Sequence, residues 1–114
     1  MNIAVQTQQE ITMVELTGRW DSNSASEVEN LILPLVQPSS CILLDLSAVT
    51  YLSSAGLRSL LLIYRRIRDY ACPIVLVGLS ESLKDVMSIT GFLPHFRVYD
   101  TAAEGLAALK AENE

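Results

Sequence analysis

Asp45-Leu-Ser-Ala-Val-Thr-Tyr-Leu-Ser-Ser-Ala-Gly-Leu57 decides the fold of this chain. The apolar run Cys41 to Leu46, broken by Asp45, reads as a buried central strand. A short link follows. Ser53, Ser54 and Gly56 then open a long amphipathic helix running to about Tyr70, with Leu57, Leu60, Leu61, Tyr64 and Ile67 on its inner face. A helix N-terminus directs backbone N–H groups outward and favours negative charge. A serine placed there can act as a helix cap, a nucleophile or a phosphorylation switch.

Strand and helix patterns alternate on both sides of this stretch. Residues 3–7 and 11–17 read as strands joined by a polar turn at Gln8 to Glu10. In Ile11-Thr-Met-Val-Glu-Leu-Thr17 the apolar positions alternate, the period of a strand with one wet face. Gly18 and Asp21 then punctuate. Ser24-Ala-Ser-Glu27 has the capping-box pattern, and Ala25, Val28, Leu31, Ile32 and Leu35 share one helical face. Pro34 and Pro38 end or distort that helix. After the long helix, Pro73 to Gly78 reads as a buried strand and Ser82 to Thr90 as a short helix with Gly91 at its C-terminal cap. Phe96 to Tyr99 is a short last strand. Thr101-Ala-Ala-Glu104 is a second capping box, opening a helix with Leu106 and Leu109 inside. Residues 110–114 form a tail expected to fray.

The order β-β-α-β-α-β-α-β-α predicts an α/β fold: a single mixed sheet of about five strands flanked by about four helices. The opening hairpin is antiparallel, and the crossovers make the remaining neighbours parallel. One domain over residues 1–114 is expected. A chain of 114 residues buries about 60–70% of its unfolded surface, so it needs no disulfide or metal to fold.

Composition narrows the function. Half of the residues are hydrophobic and 18% are charged, a globular balance. The net charge of −5 argues against nucleic acid, whose phosphates require a basic face. No apolar run approaches the roughly 20 residues that span a bilayer, so no membrane partner is expected. The N-terminus lacks the basic and apolar regions of a signal peptide, and a cytoplasmic location follows. Cys41 and Cys72 fit neither metal nor redox spacing and read as free thiols, one or both buried.

Enzymatic readings lack partners. A serine hydrolase needs Gly-x-Ser-x-Gly and a partnered histidine. Tyr51-Leu-Ser-Ser-Ala-Gly56 lacks the first glycine, and the single histidine, His95, sits beside Pro94. Zinc-ligand, phosphate-loop and dinucleotide patterns are absent. Asp21 and Asp45 are two carboxylates without a general acid. No metal or cofactor is expected.

The remaining signals concern a surface. Arg58, Arg65, Arg66 and Arg68 all follow the double serine on one helix. The later three complement the helix C-terminus, whereas Arg58 sits in the first turn, where positive charge is unfavourable unless something negative is near. A phosphate on Ser54 would be such a neighbour. Leu62 lies among charges on the outer face, which suggests a protein contact. Either serine suits the N-cap. The small residues of Ser-Ser-Ala-Gly leave the helix start open to a large partner. A phosphate there adds about −1.5 to −2 charges, which the helix dipole tolerates. Phosphorylation would therefore repel an acidic partner without unfolding the domain.

Taken together, Leu16-Thr-Gly18 with Asp21, the strand Ile42 to Leu46, Asp45-Leu-Ser47, Tyr51-Leu-Ser-Ser-Ala-Gly-Leu57, Val75-Leu-Val-Gly78 and Gly91-Phe-Leu93 resemble the STAS domain. The match is to its small stand-alone members, the anti-sigma factor antagonists. The resemblance implies a STAS-like α/β fold and a protein that is not an enzyme. It implies binding to an anti-sigma factor that is also an ATP-dependent serine kinase, with phosphorylation ending the binding. A metal-dependent phosphatase of the PP2C type would reverse it. By position the phosphoacceptor is Ser54, with Ser53 as the alternative. The partner face is expected to include Asp21, Ser22, Asp45, Ser53, Ser54, Ala55, Gly56, Arg58 and Leu62. Ser53 stands where many members have aspartate, and Ala55 where many have serine or threonine. The resemblance leaves two other functions open: a STAS subunit of a transporter complex, and a small-molecule or nucleotide sensor with a pocket near Asp21, Asp45 and Ser54.

Overall fold

A computed structural model describes residues 1–8 and 10–113, and the side chains of all these except 112 and 113. The hairpin of β1 (Asn2–Gln8) and β2 (Ile11–Trp20) is antiparallel, with Asn2 opposite Thr17 and Gln8 opposite Ile11. The turn expected at Gln8 to Glu10 includes Gln9, which lies outside the described residues. From β2 the chain crosses through α1 (Ala25–Ile32) to β3 (Cys41–Leu52), and through α2 (Ser54–Tyr70) to β4 (Ile74–Val77). It then crosses through α3 (Glu81–Ile89) to β5 (Arg97–Tyr99) and ends in α4 (Ala102–Asn113). The strands lie in the order β1-β2-β3-β4-β5, and every pair after the hairpin is parallel. The expected mixed sheet of five strands with four helices is the fold observed.

Alternation along the strands divides the core into two layers. Val14, Leu16, Ile42, Leu44, Leu46 and Leu76 face the side covered by α1, α2 and α3, where Val28, Ile32, Leu57, Leu60, Ile63, Leu83 and Met87 meet them. Ile11, Cys41, Leu43, Val75 and Val77 face the other side and pack against Leu109 of α4. Burial pushes the Cys72 thiol pKa above its ordinary value of 9.0, and Cys41 and Cys72 are not joined in a disulfide.

The strands are longer than their patterns suggest. β2 passes through Gly18, whose φ of +114° is open to glycine and strained for other residues. β3 does not end at Leu46 but continues to Leu52, pairing Ala48 with Thr17 and Leu52 with Trp20. Two register shifts interrupt that pairing, between Glu15 and Thr17 and between Gly18 and Arg19. Each bulge breaks the two-residue period, which is why residues 47–52 look like a link.

Several local expectations are corrected. The capping box at Ser24 to Glu27 does not form: the Ser24 hydroxyl donates to the Arg19 carbonyl (2.7 Å) and accepts from Asp21 N–H (3.0 Å). The helix has only eight residues, then tightens into a 3-10 turn at Leu33–Leu35 that contains Pro34. Tightening rotates the later residues, so Val36 is buried and Leu35 half-buried; Leu31, before the turn, is exposed. In α2 the inner face is Leu57, Leu60, Ile63 and Ile67, with Leu61 and Tyr64 at its flanks. α3 is capped by Ser80, which accepts from Leu83 N–H at 3.2 Å, and so begins before Ser82. The side-chain cap at Thr101 does form: its hydroxyl accepts from Glu104 N–H (3.2 Å) and donates to the Glu104 carboxylate (3.1 Å). The helix assignment of α4 runs through residues 110–113, and Glu114 lies outside the described residues.

Candidate functional site

The extension of β3 to Leu52 delivers the chain to the end of β2 and starts α2 there. Ser53 N–H donates to the Trp20 carbonyl at 3.0 Å. Ser53 is extended (φ −84°, ψ 176°), the backbone conformation of an N-cap, and its Oγ accepts from Gly56 N–H at 3.2 Å. Leu57 N–H donates to the Ser53 carbonyl at 2.9 Å, closing the first turn. The capping role that either serine could have taken belongs to Ser53.

Ser54 is the first helical residue and is exposed. Its hydroxyl has no hydrogen-bond partner among the described residues. Ala55 beside it is half-buried. Gly56 is buried, and its role differs from the one expected. A Cβ there would stand 2.4 Å from the Trp20 carbonyl oxygen and 2.7 Å from Leu52 Cδ1. The absent side chain lets α2 approach β2; it does not open a surface, and Gly56 presents no face to a partner.

The Ser53–Trp20 bond brings the residues after β2 to the same end of the sheet. Asp21 Oδ1 accepts from Asn23 N–H at 2.9 Å, and Oδ2 pairs with Arg19 Nε at 3.4 Å. The Arg19 guanidinium also lies 4.3 Å from the centre of the exposed Tyr51 ring. Ser22 follows, exposed. Asp21, Ser22, Ser53, Ser54 and Ala55 thus gather around the start of α2. Arg58 is exposed one turn further on, and Leu62, 40% exposed, one turn beyond that. No acidic residue occupies the first turn of α2.

Asp45 is not part of this group. It pairs in register with Glu15 and Val77, and its Oδ1 accepts from Ser47 N–H (2.9 Å) and the Ser47 hydroxyl (2.7 Å). The strand from Asp45 to Leu52 separates it from Ser53 by about 20 Å. The pocket expected near Asp21, Asp45 and Ser54 is therefore not formed. Asp45 instead lines a cleft of about 40 Å³ with Ala4, Gln6, Met13 and Glu15, a volume suited to water.

One residue of the region went unnoticed in the sequence. Ser59 is fully buried and its hydroxyl donates to Glu29 Oε1 at 2.9 Å, fastening α2 to α1. Its helical spacing from Gly56 and Ile63 was the available signal.

The geometry also removes the nucleophile. His95 stacks on Tyr64 with ring centres 5.1 Å apart. Tyr64 lies about 15 Å along the helix axis from Ser54, so the histidine is not near that hydroxyl. Among the described residues no group of His, Cys, Asp and Glu side chains can hold a metal ion. No helix there is long and apolar enough to cross a membrane. What the site offers is an exposed hydroxyl at a helix start, with an arginine one turn away that makes no ion pair among the described residues.

Known proteins share this arrangement of chain and sheet. The STAS domain family model matches residues 2–105. BtrV of Bordetella bronchiseptica, named as an anti-sigma factor antagonist, is 33% identical over 96 residues, covering 83% of each chain. An anti-sigma factor antagonist from Mycobacterium paratuberculosis superposes with a TM-score of 0.84 at 25% identity, over 96% of this chain and 93% of that one. The Bacillus cell fate determinant SpoIIAA in its phosphorylated form has the same fold, with a TM-score of 0.74 at 17% identity over 95% of this chain and 99% of that one. The chain belongs to the STAS domain family and, within it, to the anti-sigma factor antagonists, which are regulators and not enzymes.

Proposed function

We propose that the protein works by partner switching: it binds an anti-sigma factor that is also a serine kinase, and phosphorylation of Ser54 ends the binding. The observation that carries this reading is the division of labour at the start of α2. Ser53 is held as the cap, while Ser54 presents an exposed hydroxyl without a partner. In the transfer, Ser54 Oγ attacks the γ-phosphorus of ATP, its proton passes to a base on the kinase, and ADP leaves. The product carries about −1.5 to −2 charges at a helix N-terminus, where the dipole contributes about 0.3–1 kcal/mol of stabilisation. The fold survives, and the face changes its charge and its shape.

The proposed partner face comprises Asp21, Ser22, Ser53, Ser54, Ala55, Arg58 and Leu62. Asp45 and Gly56 are excluded from it, the first by distance and the second by burial. A PP2C-type phosphatase restores the binding form, and the cycle runs in the cytoplasm. Pull-down with the cognate kinase tests the reading. Ser54→Asp should weaken binding, and Ser54→Ala should retain it in the presence of ATP. Binding that neither substitution alters, with no phosphate incorporated into the unaltered chain, would refute it.

A further inference from the structure

Arg58 is the fifth residue of α2, just past the first turn in which the sequence placed it. The first turn contains no acidic residue, and Arg58 makes no ion pair among the described residues. Ser54 lies four residues before it on the same helix. Side chains at this spacing share one face with Cβ atoms about 5–6 Å apart. A phosphoserine and an arginine together span that gap. The order is also the favourable one, with the anion nearer the helix N-terminus and the cation one turn on. We propose that Arg58 is the internal ligand of a phosphate on Ser54. This rests on the phosphorylation of Ser54 read above and adds a regulatory role for Arg58.

Other cations are less well placed. Arg19 is already held between Asp21 at 3.4 Å and the Tyr51 ring at 4.3 Å. Arg65, Arg66 and Arg68 begin about 16 Å further along the helix axis. Lys84 pairs with Asp100 at 3.9 Å, on another helix. A guanidinium also suits the task, because its planar fork donates two parallel hydrogen bonds to phosphate oxygens.

The consequence is a switch with two effects from one modification. Without phosphate, Arg58 is an exposed, unpaired cation available to an acidic group of the partner. With phosphate, the same guanidinium is occupied internally. Phosphorylation then adds negative charge and withdraws a positive group from the partner face together.

Phosphoserine installed at position 54 during translation tests this without any kinase. The phosphate is titrated by phosphorus NMR in the full chain and in its R58Q, R58K and R65Q variants. A neighbouring guanidinium favours the dianion, so the second phosphate pKa should be lower with Arg58 than with R58Q by roughly 0.2–0.4 unit. R58K should fall between them, and R65Q should match the unaltered chain. The Arg58 Nε–Hε signal should shift with the same titration. Equal pKa values for the unaltered chain and R58Q, with an Arg58 signal that ignores the titration, would overturn the proposal. Partner binding is measured separately on the same samples. Undiminished binding by the phosphorylated chain overturns the switch reading, whereas a flat titration with binding lost overturns only the role of Arg58.

Discussion

Replacing Ser53 with alanine should separate the cap from the switch. The substitution removes the acceptor that Gly56 N–H uses at 3.2 Å, at a half-buried position. Alanine at an N-cap costs about 1 kcal/mol. Unfolding entropy near 2.1 cal/mol/K per residue, over 114 residues, amounts to about 0.24 kcal/mol/K. Ser53→Ala should therefore lower Tm by about 4 °C. Ser54→Ala removes a hydroxyl that has no partner and supplies a better helix former. It should leave Tm unchanged or raise it by up to about 2 °C. Thermal unfolding is followed by far-UV circular dichroism and by the fluorescence of Trp20, the single tryptophan, which is fully buried and whose carbonyl accepts from Ser53 N–H. A Tm loss from Ser54→Ala equal to that from Ser53→Ala would refute the assignment of the cap to Ser53, as would no loss from Ser53→Ala.

Three further substitutions probe what holds the site in place. Gly56→Ala should favour the helix by about 1 kcal/mol intrinsically. It also sets a Cβ 2.4 Å from a backbone carbonyl, which forces α2 away from β2. Overpacking of about 1–3 kcal/mol plus a weakened Ser53–Trp20 bond of about 1 kcal/mol should win, lowering the urea midpoint. An unchanged or higher midpoint would contradict the close approach. Burial raises the Cys72 pKa above the ordinary 9.0, so the unfolded chain loses this proton first as pH rises. The associated stability is intact below pH 9 and declines above it. The denaturant midpoint should fall between pH 8 and 10, and should fall less in Cys72→Ala; equal slopes would contradict the burial effect. Ser59→Ala should cost about 1 kcal/mol by stranding the Glu29 carboxylate, and Ser59→Ala with Glu29→Ala should cost less than the sum of the single changes. Strict additivity of the pair would mean that the 2.9 Å bond contributes nothing.

Most of the architecture was legible because the helices and buried strands keep a clean period. Leu57, Leu60 and Ile67 mark α2, and its limits at Ser54 and Tyr70 were as expected. Pro73 to Gly78 and the cap at Thr101 were equally plain. What escaped was decided by contacts between distant segments. Residues 47–52 belong to β3 only because bulges let them follow Thr17 to Trp20. Ser24 fails as a side-chain cap because its hydroxyl, held by the Arg19 carbonyl, accepts from Asp21 N–H instead of from an N–H of α1. The double serine was conspicuous, yet the sequence alone left both residues eligible to cap. The extended backbone at Ser53, fixed by Trp20, decides between them. Gly56 and Asp45 entered the expected partner face through the resemblance; Gly56 is buried against Trp20, and Asp45 lies further back along β3, so neither stands beside the Ser54 hydroxyl.

The most direct test of the central claim is to locate the phosphate. The chain is incubated with ATP and its cognate anti-sigma factor kinase, and the product is mapped by tandem mass spectrometry while complex formation is followed. One phosphate on Ser54 is predicted, present in Ser53→Ala, absent in Ser54→Ala, and accompanied by release of the kinase. A phosphate confined to Ser53, or a Ser54 phosphate that leaves the complex intact, would contradict the account.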